Sequence, residues 1–228
     1  MKKVFFIVVI FIFPCYFSLA QECTFYYPKT EGAKLEYTSY DGKDKVTGSS
    51  TQTIKNVTED AGAVSATIEV QSFDKKGKEL GTKTFGVKCE NGVYSVDMKS
   101  FMDPETMAAY EEMEVKVNSN NLDIPSNLKE GDVLEDGKLE ITVYREGMRI
   151  MGLTTEITQR KVEEKEQITT DAGTFDCFKI TYTITTKTMF SVRVEAAEWI
   201  AENVGTVKSE NYSRGKSIGY SLLTGIKK

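Results

Sequence analysis

Residues 174–186 alternate with a period of two: Phe178, Ile180, Tyr182 and Ile184 share one face, and Cys177, Lys179, Thr181, Thr183 and Thr185 lie on the other. Alternation of this kind requires a strand with one face buried and the other wet. The same texture recurs over residues 34–40, 45–58, 64–73, 82–89, 93–98, 138–144, 148–159, 190–200, 204–212 and 217–223. The connecting segments carry turn residues: Asp41-Gly42, Asp60-Ala61-Gly62, Asn91-Gly92, Glu146-Gly147 and Asp171-Ala172-Gly173. Asn-Gly between two alternating runs is the strongest of these, because both positions of the tight hairpin turn need positive φ. Short runs at close spacing predict a mainly β fold, an antiparallel meander of roughly ten to twelve strands curving into a sheet or barrel.

Other segments break the pattern. Asp103 and Pro104 suit the N-cap and first position of a helix, so one short helix is expected at about 103–113. Residues 118–137, with Asn120-Asn121, Pro125 and several Asp and Gly, read as a long surface loop. The charged stretch 160–166 reads as the protruding tip of a hairpin. An aromatic, a Gly-Lys turn and a second Gly recur at Tyr40…Gly48, Phe73…Gly81 and Tyr212…Gly219. Their irregular spacing favours repeated hairpin chemistry over a repeat architecture.

The first twenty residues have the order of a secretory signal. Lys2 and Lys3 precede an apolar run over residues 4–19, and Ser18 and Ala20 place small residues at −3 and −1. The run is shorter than the roughly 20 residues that span a bilayer and contains Pro14, so cleavage after Ala20 is expected. Residues 21–228 then form a single exported β-rich domain. Cys15 and Cys23 lack the small residues that precede a lipid-modified cysteine, so no lipid anchor is expected. Lysines and glutamates in most strands and a Lys227-Lys228 terminus argue against a lipid-facing barrel and stable membrane insertion.

The chain has no histidine, which excludes Ser-His-Asp and Cys-His catalysis and every metal site built on imidazole. It has no Gly-rich phosphate loop and no CxxC pair. Basic residues number 29 against 34 acidic, without a basic block, so nucleic acid is not an expected partner. A paired-carboxylate hydrolase would draw on Asp97, Asp103 or Glu198, though strand and cap positions explain each more simply. No cofactor or metal is expected, and an enzyme is the least favoured class.

Three cysteines follow the signal. Cys23 shares strand parity with Phe25 and Tyr27, and Cys89 with Phe85 and Val87, so both point to an apolar face. A Cys23–Cys89 bridge with Cys177 free is one expectation; three unpaired buried thiols is the other, since connectivity cannot be read from sequence. Met98, Met102, Met107 and Met113 cluster around the expected helix and suit an adaptable apolar pocket or ordinary core filling.

Thr169–Thr174 with Phe175-Asp176-Cys177, Glu198-Trp199-Ile200 running to Val204-Gly205 and Glu210, and Gly219-Tyr220 after Gly215-Lys216 carry a resemblance. With Cys23 and Lys88-Cys89-Glu90-Asn91-Gly92, they resemble the TapB-like family of exported bacterial domains of unknown function. The resemblance implies a periplasmic or secreted barrel-like domain without established catalytic residues, with Trp199 and Gly205 as packing and turn positions. The expected role is non-catalytic, in binding an apolar ligand or an envelope partner. A structural or assembly accessory of the envelope is the alternative.

Overall fold

The computed structural model describes residues 23–101, 110 and 112–228. The signal segment lies outside them, as does most of the expected helix at 103–113, with Met102 and Met107. Among the described residues there are thirteen strands: β1 (Lys34–Asp41), β2 (Val46–Asp60), β3 (Ala63–Asp74), β4 (Glu79–Glu90), β5 (Val93–Asp97), β6 (Glu114–Ser119), β7 (Asn121–Pro125), β8 (Gly137–Arg145), β9 (Met148–Thr170), β10 (Gly173–Lys187), β11 (Ser191–Ala201), β12 (Gly205–Ser213) and β13 (Lys216–Lys227). A 3₁₀ turn, Met98–Phe101, follows β5. Its start is capped by Asp97, whose carboxylate accepts from the Lys99 N–H at 2.8 Å.

All thirteen strands join one antiparallel sheet in the order β6-β8-β9-β10-β11-β12-β13-β1-β2-β3-β4-β5-β7. The two edge strands, β6 and β7, are consecutive in sequence and separated by Asn120 alone. The chain itself therefore bridges the seam, and the sheet becomes a nearly closed barrel with little exposed edge. Asn120 fixes the crossing: its side chain donates to the Asp136 carbonyl at 2.9 Å and accepts from the Lys138 N–H at 2.6 Å.

Two expectations are corrected here. Residues 118–137 are not a long surface loop, because they supply β7 and an extended segment alongside β9, held by Leu134 N–H to Arg160 O and Val162 N–H to Asp132 O. Residues 160–166 are not a hairpin tip either. They lie inside the uninterrupted β9, and the tip comes after Thr170.

Two-residue parity puts Leu35, Tyr37, Ile54, Ile68, Val87, Tyr94, Ile180 and Leu223 inside, all buried. The main core lies towards the end that holds Cys23. A smaller cluster of Met98, Leu139, Ile141, Val143 and Ile157 fills the interior near β6 and β8.

Candidate ligand cavity in the barrel

Residues 23–27 are not part of the sheet, yet Phe25, Tyr26 and Tyr27 are all buried. Three successive aromatics have too much apolar surface to leave in water, and the open barrel end offers a place to bury it. The segment plugs that end. Phe25 and Tyr26 meet Tyr94 edge-on, with centroids 5.8 and 5.1 Å apart, and Tyr27 meets Phe85 at 6.3 Å. Tyr27 donates its hydroxyl to Gln52 at 2.9 Å. Cys23 is joined to Cys89 by a disulfide that ties the plug to β4. Cys177 is free and buried, and burial pushes its thiol up to about 11, which keeps it un-ionised and unreactive at neutral pH.

Between the plug and the smaller core lies a cavity of about 220 Å³. Tyr26, Tyr27, Phe85, Tyr94 and Tyr182 give it aromatic walls, while Val96, Leu122, Ile124, Ile157 and Ile200 supply aliphatic lining. Leu122, Ile157 and Tyr182 also pack against the smaller core, so the void sits between the two clusters. Lys83 has the inward parity of Phe85 and Val87 but is exposed, which places it at the mouth. Another hollow, of about 400 Å³ and bounded by Thr58, Asp60 and Asn91, lies over hairpin turns and is lined mainly by polar groups and small side chains.

Two ionisable groups line this apolar space. Arg160 is 2 % exposed, and its Nη1 donates to the Glu135 carbonyl at 2.6 Å and the Asp123 carbonyl at 3.1 Å. It clamps β7 and the segment before β8 to β9, across the seam. Its inward aim comes from a bulge: Gln159 has φ 57°, and β9 there gains a residue relative to β10. Ile157 and Arg160 therefore both face inward despite their odd separation.

Glu198 lies on β11 opposite Ile180 and lines the same space, half-buried. Burial raises its carboxyl pKa above the usual value, and the nearby Arg160 guanidinium partly opposes that rise. Its field in turn pushes the Tyr27, Tyr94 and Tyr182 hydroxyls further up, after burial has done most of the raising. No hydrogen bond or ion pair to Glu198 occurs among the described residues. The buried Tyr37 hydroxyl likewise has no partner among them.

The methionines sit elsewhere. Met98 is fully buried and Met113 half-buried in the smaller core, and neither lines the cavity. Trp199 is buried within the main core cluster, covered by Lys179 and Lys208, whose ammonium groups lie 5.3 and 4.4 Å from its ring, and it donates to Glu166. Gly205 is at φ 97° with Tyr27 3.5 Å from where a Cβ would stand, so it is both a turn and a contact with the plug. Asp97 serves as a cap, and Asp103 lies outside the described residues. Among the described residues no group of acidic and cysteine side chains could hold a metal ion. The sequence reading missed Arg160 and the aromatic plug. The one available signal for Arg160 was the phase slip between inward Ile157 and inward Val162.

The family model for DUF3108-like domains matches residues 30–223. No curated protein matches. Two crystal structures share the fold. One is a Bacteroides fragilis protein described as exported and YmcC-like in fold, with TM-score 0.72, 24 % identity and coverage of 90 % of this chain and all of that one. The other, from Parabacteroides distasonis, is described as a lipoprotein, with TM-score 0.74, 24 % identity and coverage of 91 % and 100 %.

Proposed function

The chain belongs to the DUF3108-like family, and from that premise we propose that it is an exported, non-catalytic envelope protein whose barrel holds a small, mostly apolar ligand. The aromatic cavity carries this proposal. A protein core normally packs without voids larger than a water molecule, and an unfilled space forfeits contacts around its lining. A void of about 150 Å³ suffices for benzene, so about 220 Å³ fits one ring with a short substituent and not a whole lipid. Export is supported by the signal-like first twenty residues and by the descriptions of the two similar structures. The narrower TapB-like affiliation, a periplasmic location and cleavage after Ala20 are part of the same proposal; N-terminal sequencing and an intact mass without acyl chains are the expected results for the mature protein.

Ligand binding is tested by titrating the protein with toluene and indene while following side-chain NMR signals. Saturable shifts confined to Tyr26, Phe85, Tyr94 and Ile157 are expected. Absence of saturable shifts with either compound would remove the ligand proposal.

An assembly role has its own observation. Met148, Ile150, Met189, Phe190 and Val192 are exposed at the β8–β9 and β10–β11 hairpin tips. Exposed apolar side chains gathered at one end suit a contact with another envelope component.

A further inference from the structure

The lining of the cavity specifies more than size. An apolar ligand alone would leave Glu198 with a desolvated carboxylate and no donor, and a buried polar group left unpaired costs more than a satisfied one gains. The guanidinium of Arg160 is not that partner in the present arrangement: its Nη1 donates to the Asp123 and Glu135 carbonyls, and no hydrogen bond or ion pair joins it to Glu198 among the described residues. Above the raised Glu198 pKa it does balance the charge: with Arg160 positive and Glu198 negative, the interior is neutral before a ligand enters. A cationic ligand would leave a net positive charge in an apolar space, and an anionic one a net negative charge, each costly to bury. The remaining complement is a neutral donor. Tyr26, Tyr94 and Phe85 supply ring faces and edges on the walls, which suits a flat partner by offset or edge-on contact.

We infer that the cavity takes a small, uncharged ring compound bearing one N–H or O–H, which donates to the Glu198 carboxylate while the ring packs among Tyr26, Phe85 and Tyr94. This rests on the ligand-binding proposal above and adds the chemistry of the head group. Phenols and indoles are the matching chemical class.

The test is a calorimetric comparison on the wild-type protein of indole, indene and benzylammonium. Indole and indene have nearly the same shape, but only indole carries a donor. A hydrogen bond to a charged group favours indole by about tenfold in Kd. Glu198→Gln, which keeps an acceptor without the charge, is expected to shrink that preference to a few-fold; if this variant does not fold, the wild-type comparison decides alone. Indole and indene binding equally would overturn the head-group inference and leave the ligand proposal intact. Benzylammonium binding tightest would overturn the neutrality of the ligand. Failure of all three to bind would overturn the ligand proposal itself.

Discussion

At the residue scale, the structure turns on Arg160 and Glu198. Each is a group that the interior disfavours in charged form, and each is kept there by something specific: two backbone carbonyls for Arg160, and the field of Arg160 for Glu198. The groups facing Glu198 are Arg160 on β9, Tyr182 on β10, Tyr94 on β5 and Tyr27 from the plug. A carboxyl raised in the folded state binds its proton more tightly there than in the unfolded chain. Its contribution to stability is complete below the ordinary carboxyl range and is lost as pH rises through the raised value. Wild type should therefore lose stability relative to Glu198→Gln as pH rises from the ordinary carboxyl range through the raised value, read as the difference between their urea-unfolding free energies. A difference independent of pH would show that Glu198 titrates as it does in the unfolded chain.

The sequence pointed to Glu198 only as a candidate hydrolase carboxylate, and it did not point to Arg160 at all. Arg160 opens a run of charged side chains, which normally marks a solvated tip, and only the bulge at Gln159 turns it inward. Glu198 was visible as a carboxylate among aromatics, but two-residue parity alone does not say which face of β11 is enclosed.

At the element scale, the hairpins follow local chemistry that was largely legible. Asp41 and Asp74 each accept two backbone N–H bonds from residues two and four positions on, in otherwise unrelated turns. The aromatic-glycine recurrence has a matching cause: the register shifts between Ser39 and Tyr40, Ser72 and Phe73, and Asn211 and Tyr212. At Gly48 and Gly219 a Cβ would fall 2.5 and 2.8 Å from the backbone oxygens of Phe73 and Tyr40. Glycine lets neighbouring strands close up beside the bulge. The strands β6 and β7 were not legible, since Asn, Asp and Pro in residues 118–137 mimic a loop and only the seam pairs them.

The plug belongs to this scale as well. It has few backbone partners, so the Cys23–Cys89 bond, spanning 66 residues, supplies much of what holds it. Chain entropy assigns such a closure about 4 kcal/mol. The double variant Cys23→Ser, Cys89→Ser is expected to unfold at lower urea by about that free energy and to lose aromatic binding more than its stability alone would explain. Unchanged stability and unchanged binding would mean that the aromatics hold the plug without the bridge.

At the scale of the molecule, a meander of hairpins becomes a barrel because the chain steps from one edge of its sheet to the other at Asn120. The sequence showed alternation, and so the antiparallel sheet, but closure depends on which strands become edges, and that follows from pairing between residues far apart. The cavity is a consequence of closure. Aromatic side chains from the plug, β4, β5 and β10 converge from regions up to 156 positions apart (Tyr26 to Tyr182), so no local window of sequence could have shown it.

Crystals of residues 21–228 soaked in bromobenzene address the cavity most directly, through the anomalous signal of bromine. An anomalous peak is expected between Tyr26, Phe85, Tyr94 and Ile157, with the plug unmoved. Side chains filling that space, with no bromine peak inside the barrel, would contradict the account.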